Sequence, residues 1–144
     1  MGWLLALVLT STSFAPNGAV PNAMVATPCG GENVPPSLHW RGAPPATRSF
    51  ALLVHDTDAP RPGGFYHWVA YGLHLERSGL NDTGNTGYFG PCPPPGTLHH
   101  YHFTLYALDA PVTAREPLTA AQLLARMRGH VLAKAELIAT FEKQ

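Results

Sequence analysis

The chain has 144 residues and no net formal charge, with 45% apolar and only 12% charged residues. This apolar content can fill a core and argues against intrinsic disorder, while the balanced charge argues against a nucleic-acid binder, which would carry a basic face. Fourteen glycines and fifteen prolines disfavour a helical bundle, because proline removes a backbone donor and glycine has the most backbone entropy to lose. We therefore expect one domain over residues 1–144, built from short strands and rigid turns.

Several segments in the first three-quarters of the chain have the composition of β-strands. Residues 4–10 and 37–40 are short and extended. Residues 49–55 (SFALLVH) form a continuous apolar run, typical of a strand buried on both faces. Residues 65–73 (FYHWVAYGL) and 101–109 (YHFTLYALD) are aromatic and β-branched, and stretches rich in glycine and proline separate them.

The pattern becomes helical only near the C-terminus. Residues 119–122 (TAAQ) fit a capping box, and apolar residues follow at helical spacing up to residue 127. Gly129 interrupts this pattern, and the apolar residues of 131–138 predict a second amphipathic helix. Strands followed by helices predict a β-sandwich or barrel with a small helical cap.

The cysteines and the apolar N-terminus bear on the cellular compartment. Cys29 and Cys92 are too few for a disulfide scaffold, and the sequence leaves open whether they form one bridge or two free thiols. The apolar run at residues 3–9 is too short to span a bilayer and has no Lys or Arg before it. We expect a buried first strand and a cytoplasmic protein; a trimmed signal remnant, with a periplasmic or secreted location, is the alternative.

Polar side chains stand at the ends of the predicted strands. Asp56 and Asp58 follow the first buried strand, while His67, His99 and Tyr101 each begin a set of alternate residues that continues as an apolar face. A pocket at one sheet edge could collect these groups over an apolar floor. The plainer interpretation is that the aspartates cap turns and that His67 is a core histidine with its hydrogen bonds satisfied.

Three clustered histidines raise the question of a metal site. His99 and His100 are neighbours in a predicted strand, so their side chains point to opposite faces and cannot share one ion. A structural zinc ion held by His100, His102 and a carboxylate is an alternative, but we expect no metal ion and no cofactor.

The order of the motifs resembles that of one known family. The motifs are CGGENVPPSLHW (29–40), HDTDAP (55–60), FYHWV (65–69), GYFGPCPPPG followed by HHY (87–101) and GHVLAKAEL (129–137). Together they are similar to the phosphatidylethanolamine-binding protein family, which includes the Raf kinase inhibitor proteins, and in particular to its bacterial and archaeal branch. The resemblance implies a mainly β fold, a Greek-key sandwich of two antiparallel sheets with a small C-terminal helical region.

The resemblance also implies an anion pocket on named residues. The implied ligand-binding residues are Asp56, Asp58, Pro60, His67, Gly90, Pro91, Pro93, Pro94, His99 and Tyr101. This sequence departs from the family pattern at Thr57, where relatives carry proline, and at His100, where many carry arginine. The Ala59–Pro60 bond is implied to be cis.

We interpret this pocket as the site of a non-enzymatic binding or regulatory module. Its expected ligands are small anions, namely phosphate, a phosphorylethanolamine-like group or an acetate-like group, carried by a phospholipid head group or a phosphorylated protein. Protonated histidines would donate to the anion, with binding weaker above neutral pH, and the N–H groups of Gly90, Cys92 and Gly96 could add to them. Kinase inhibition does not transfer to a prokaryotic-type chain. A protein partner and a homodimer stay open.

The alternative function is a hydrolase or phosphatase-like enzyme that uses the same Asp and His side chains. The sequence contains no G-x-S-x-G nucleophile elbow. Cys92 and His99 could form a nucleophile pair, but no residue that would orient the histidine is evident.

Overall fold

Two antiparallel sheets form the frame of residues 6–144, the part of the chain that the computed structural model describes. The smaller sheet pairs β1 (Val8–Thr10) with β2 (His39–Arg41). The larger sheet has the order β5-β4-β3-β6-β7. Its strands are β3 (Ser49–Asp56), β4 (Phe65–Gly72), β5 (Arg77–Ser78), β6 (Leu98–Leu108) and β7 (Val131–Glu142), and the single α-helix of the described residues is α1 (Ala120–Met127).

The larger sheet has Greek-key connectivity. Strands β3, β4 and β5 follow one another across the sheet, and β6 then returns to pair with the free side of β3. Three neighbouring strands with a fourth beside the first define this motif. The predicted class, a mainly β fold with two antiparallel sheets and a small helical region, is confirmed.

Strand β3 lies in the middle of the sheet and is buried on both faces, as its continuous apolar run predicts. Phe50, Leu52 and Val54 point into a core that the larger sheet shares with β1 and the N-terminal loops. Ala51 and Leu53 point to the opposite face, where α1 packs on the sheet. Alternate side chains of one strand therefore contribute to two separate apolar clusters.

The helix begins and ends where the sequence predicts. The Thr119 side chain accepts a hydrogen bond from the Gln122 backbone, and the Gln122 side chain accepts one from the Thr119 backbone, which completes the capping box. Gly129, just after the helix, has a φ of 78°, a left-handed value that stops helical propagation.

The predicted second helix is wrong, because this segment is β7. The strand pairs with β6 along almost the whole of that strand, from Leu108–Val131 to Leu98–Glu142. The segment also carries small and apolar residues at every second position, and Leu137 and Ala139 are buried in the core that contains β1. The apolar residues of this segment fit both the helical repeat of about 3.6 residues and the strand repeat of two. Pairing with the long strand β6 decides in favour of a strand.

The N-terminal strand and the proline loops differ in part from expectation. Strand β1 begins at Val8, and the first five residues, which include the start of the predicted strand, lie outside the described residues. The Ala59–Pro60 peptide bond is trans, so the implied cis bond is wrong. Within residues 6–144 no helix is long and apolar enough to cross a membrane.

A disulfide bond joins Cys29 to Cys92 and settles the pairing that the sequence leaves open. The bridge connects two loops that are 63 residues apart in sequence and brings their Cα atoms to 5.6 Å. It therefore ties the N-terminal loop region to the proline-rich segment that precedes β6.

Candidate functional site

The candidate site lies where three strands of the larger sheet meet at one edge. Because β3 is antiparallel to both neighbours, the end of β3 lies beside the beginnings of β4 and β6. Asp56 is paired with Phe65 on one side and with Tyr101 on the other. Sequence positions 56, 65 and 101 thus become neighbours through strand order alone.

A β-bulge in β4 decides which way His67 points. Trp68 pairs with Val54 and Tyr66 with His55, so His67 is the extra residue of the bulge. Beyond it, Val69 packs on the α1 side of the sheet. Simple alternation would place His67 with Val69, and that expectation is wrong: the His67 ring lies 5.2 Å from the Tyr101 ring, on the opposite face.

Asp56 and His99 form a buried hydrogen-bonded pair. The His99 Nδ1 lies 2.6 Å from Asp56 Oδ2, and the two residues are 2% and 3% exposed. The other carboxylate oxygen of Asp56 accepts the backbone N–H of Asp58 at 2.9 Å. Since both carboxylate oxygens are occupied, Asp56 orients His99 and leaves the Nε2 of His99 as its available ring nitrogen.

His67 is held by the backbone of the following loop. Its Nδ1 donates to the carbonyl of Phe89 at 2.7 Å, and its backbone carbonyl accepts the Phe89 N–H at 2.9 Å. Burial lowers the pKa of His67 below its ordinary value of 6.5, against the opposing influence of the Phe89 carbonyl and of Asp56. At neutral pH the ring is uncharged and presents the lone pair of Nε2.

The hydroxyl of Tyr101 is buried and has no hydrogen-bond partner among the described residues. The residue is 1% exposed, and burial, assisted by the Asp56 carboxylate, raises the pKa of its phenol well above the ordinary value of 10.0. The hydroxyl therefore keeps its proton and is a donor without an acceptor, which is costly in a buried position.

These side chains border one cavity of about 170 Å³. Its polar residues are Asp56, Arg61, His67, His99 and Tyr101, and its apolar wall consists of Ala59, Pro60, Phe65, Phe89, Cys92, Pro93 and Pro94. The guanidinium of Arg61 lies over the Phe65 ring, 5.4 Å from its centre. A permanent positive charge is thus present at the cavity.

Most of the predicted ligand-binding residues line this cavity, and three do not. Asp58 points away from it, because its Oδ2 accepts the backbone N–H and the ring Nδ1 of His100 at 2.8 and 2.9 Å. That hydrogen bond holds the pKa of Asp58 below its ordinary value. Pro91 borders a separate inner cavity of about 10 Å³, and Gly90 borders neither.

The loop of residues 87–96 contributes fewer free N–H groups to the cavity than the sequence predicts. The Gly90 N–H donates to Asn33 Oδ1 at 2.7 Å, and the Gly96 N–H donates to the Lys143 carbonyl at 3.0 Å. Gly90 has a packing role instead: a Cβ there would lie 2.0 Å from the Met24 carbonyl oxygen. Only glycine permits this approach of the two loops.

The remaining histidines of β6 have separate partners. His100 binds Asp58, and His102 lies 3.3 Å from Thr57 Oγ1 and 3.5 Å from Glu136 Oε1. Within residues 6–144, no three His, Cys, Asp or Glu side chains come together in a way that could hold a metal ion.

Sequence reasoning missed Ala59, Arg61, Phe65 and Phe89 as cavity residues. Arg61 follows directly after the HDTDAP motif, and its position in a turn was the available signal. Phe65 and Phe89 resemble ordinary core residues in sequence, so only the packing of their rings against the His67 ring reveals them.

Comparisons with known proteins agree with this fold and with the motif order. The family model described as phosphatidylethanolamine-binding protein matches residues 10–142. A UPF0098 protein of Methanothermobacter thermautotrophicus is 35% identical, over 94% of this chain and 98% of its own. Escherichia coli YbhB, also a UPF0098 protein, is 34% identical over 77% of this chain and 83% of its own.

Two crystal structures have a similar fold. One is a phosphatidylethanolamine-binding protein homologue of Chlamydia trachomatis, with a TM-score of 0.87 and 35% identity over 96% of this chain and 99% of that chain. The other is Escherichia coli YbcL, described as a member of the mammalian family, with a TM-score of 0.87 and 29% identity over 97% and 100%. Sequence and fold match the same family over nearly the whole chain.

The burial of His67 predicts a specific pH dependence of stability. Because its pKa is lower in the folded state, the unfolded chain binds more protons near pH 6.5 and below. The contribution of His67 to stability is present above pH 6.5 and is lost as the pH falls through the folded-state pKa. Urea unfolding of wild type and His67→Asn from pH 7.5 to 5 measures it, since asparagine can donate to the Phe89 carbonyl without titrating. Equal pH slopes in the two proteins would contradict the prediction.

Proposed function

The chain belongs to the phosphatidylethanolamine-binding protein family, and from this premise we propose that it is a non-enzymatic binding module whose cavity takes a phosphoryl group or another small anion. The observation that carries the proposal is that two anchored imidazoles meet the Tyr101 hydroxyl at one cavity, where this hydroxyl has no hydrogen-bond partner within residues 6–144. Each imidazole uses Nδ1 for the protein, which leaves Nε2 for a ligand.

Two carboxylates close to an anion would ordinarily repel it, and the hydrogen bonding here reduces that repulsion. Asp56 gives both of its oxygens to the protein, and Asp58 is turned toward His100. Arg61 adds a permanent positive charge at the cavity. These features support the binding of an anion more than that of a cation.

The apolar wall of the cavity favours an anion that carries an organic substituent. Phe65, Phe89, Pro93 and Pro94 offer apolar surface beside the polar groups. A phosphate ester, in which the phosphoryl group is attached to carbon, matches this combination better than inorganic phosphate does. A phospholipid head group and a phosphorylated protein both present this chemistry, and a homodimer would leave the proposal unchanged.

The disulfide bond bears on where the protein functions. Disulfides persist in oxidising compartments and are rare in the cytosol. The Cys29–Cys92 bridge therefore supports a periplasmic or secreted location over the cytoplasmic location expected from the sequence.

The second candidate function is a hydrolase or phosphatase-like enzyme. The observation that favours it is the Asp56–His99 pair, because a histidine oriented by a carboxylate is the usual arrangement of a general base. We prefer the binding function, because among residues 6–144 no Ser, Thr or Lys borders the cavity as a nucleophile and Cys92 is held in the disulfide.

The binding proposal predicts that His67 is needed for phosphate-ester binding. Titration of phosphorylethanolamine, followed by NMR, shifts the ring signals of His67 and His99. Near pH 6 a phosphoryl group still carries a proton part of the time and can donate it to the Nε2 lone pair of His67. At this pH, replacement His67→Ala weakens binding about ten- to a hundredfold, because a hydrogen bond to a charged group contributes about 1.5–3 kcal/mol. His100→Ala is the matched control, since this imidazole binds Asp58 outside the cavity, and its affinity stays within about twofold of wild type. Equal binding by His67→Ala would overturn the assignment.

Binding of a fully ionised anion depends on pH through His67. Sulfate carries no proton at neutral pH, so the uncharged His67 ring must take up a proton before Nε2 can donate to it. Since burial lowers the pKa of His67, the affinity for sulfate rises as the pH falls from 7.5 to 5.5, by at most about tenfold per pH unit. Calorimetry measures this slope. The His67→Asn variant loses the part of this pH dependence that comes from His67. An unchanged slope of affinity against pH in that variant contradicts the prediction.

An activity panel distinguishes binding from catalysis. We expect no turnover of aryl phosphates or carboxylic esters above the buffer rate, with or without added magnesium or zinc. Turnover that disappears in Asp56→Asn but persists in Asp58→Asn would establish the enzyme alternative, because only Asp56 orients His99 at the cavity.

A further inference from the structure

We propose that the Cys29–Cys92 disulfide positions one wall of the ligand cavity, so that anion affinity depends on the redox state of these two cysteines. The inference rests on the proposed function, because it concerns the same cavity. It adds a role that neither the sequence motifs nor the family resemblance assigns to this bridge.

The wall in question is the segment 92–94. Cys92, Pro93 and Pro94 all border the cavity, which they share with His67 and His99. Pro93 is buried, whereas Pro94 and the residues that follow it up to Leu98 are exposed. Packing therefore holds this wall at Pro93 and in part at Cys92, which is half-buried.

Hydrogen bonds hold the chain on both sides of this wall but not within it. The Pro91 carbonyl accepts the Ala26 N–H at 3.0 Å, and the Gly96 N–H donates to the Lys143 carbonyl at 3.0 Å. Among the described residues, positions 92–95 take part in no backbone or side-chain hydrogen bond with the rest of the protein. Three of these four residues are prolines, which have no N–H to donate. The disulfide is thus the strongest tie between residues 91 and 96.

The other end of the disulfide lies in a well-anchored loop. The Cys29 N–H donates to the Ala26 carbonyl at 2.9 Å. The Gly30 N–H donates to the Thr27 carbonyl at 3.0 Å, which closes the neighbouring turn. Asn33 binds the Gly90 N–H and the Tyr88 carbonyl from the same loop region. The bridge therefore connects the cavity wall to a fixed platform.

Reduction of the bridge is chemically accessible from the Cys29 side. Cys29 is half-buried and lies between the exposed residues Pro28 and Gly30. A thiolate of a dithiol reductant attacks Cys29 Sγ, the Sγ–Sγ bond breaks, and Cys92 leaves as a thiolate that takes up a proton. The second thiol of the reductant then displaces Cys29 and closes the reductant's own disulfide. The protein gains two electrons and two protons, and the dithiol is oxidised by the same amount.

Loss of the bridge frees the wall while the rest of the site keeps its contacts. His67 stays bound to Phe89, and Asp56 stays bound to His99, because neither contact involves residues 92–95. The apparent affinity equals the affinity of the intact site multiplied by the fraction of time that the wall is in place. A wall that is in place one-tenth of the time therefore weakens binding about tenfold. Binding of the anion and formation of the bridge therefore favour each other.

The test compares phosphorylethanolamine affinity in oxidised and reduced protein. Calorimetry is performed with the oxidised protein, with the protein kept reduced by dithiothreitol, and with the Cys29→Ser/Cys92→Ser double variant. We expect affinity about tenfold weaker in the reduced protein and in the double variant, and no effect of dithiothreitol on the double variant. Reoxidation restores the original affinity. The N–H groups of Ala26 and Gly96 hold the two ends of the wall through the carbonyls of Pro91 and Lys143. Amide exchange at Ala26 and Gly96 increases on reduction, while exchange in the central strand β3 does not, which separates local loosening from global destabilisation.

A second variant keeps the test decisive if the reduced protein unfolds. Pro95→Gly loosens the wall with the bridge intact and removes no cavity contact, because Pro95 does not border the cavity. We expect several-fold weaker binding in this oxidised variant. Equal affinity in oxidised wild type, reduced protein and Pro95→Gly would overturn the inference and leave the proposed function standing. Absence of binding in oxidised wild type would instead overturn the proposed function itself.

Discussion

The hydrogen bond between Asp56 and His99, buried at the edge of the larger sheet, is the contact around which the site is built. A carboxylate in this position is stable only when its oxygens have partners. One oxygen orients His99 and the other closes the turn at Asp58. Asp58 in turn fixes the start of β6 through the backbone of His100. One buried carboxylate therefore sets both the tautomer of a histidine and the path of the loop beside it.

This contact exists because of the order of strands in the sheet. The Greek-key return places β6 beside β3, so that residues 43 positions apart form the buried pair. On the other side of β3, the bulge in β4 turns His67 to the same face. Bulges are common beside functional sites because one extra residue re-aims a side chain. Here the pairing of β4 with β3 continues beyond the bulge from Trp68.

The loops around these strands are shaped by close backbone contact more than by free N–H groups. Gly90 lies against the Met24 carbonyl, and the disulfide joins the same two regions further along the chain. Pro93 and Pro94, which line the cavity, have no backbone N–H to donate and a φ angle fixed by the ring. They therefore give the cavity an apolar wall with little internal flexibility. The polar groups that face the cavity are consequently few, and their charges depend on burial, as the lowered pKa of His67 illustrates.

Much of the fold could be predicted from local sequence patterns. The apolar run of β3, the aromatic strands β4 and β6 and the capping box at Thr119 were each visible without the structure. The sequence also placed polar groups at the strand ends and matched them to a family by motif order. These features are local: each depends on residue type and on spacings of a few positions.

What the sequence left open or predicted wrongly depends on contacts between distant segments. The residues of β7 fit both a helix and a strand, and pairing with β6 decides between them. His67 points to the cavity because of a bulge that alternation cannot reveal, and Cys29 reaches Cys92 only because their loops are packed together. The high glycine and proline content and the local motifs thus determined the class of fold and the residue types of the site. The tertiary structure decided which faces, partners and charges those residues have, because burial and strand register are properties of the whole sheet.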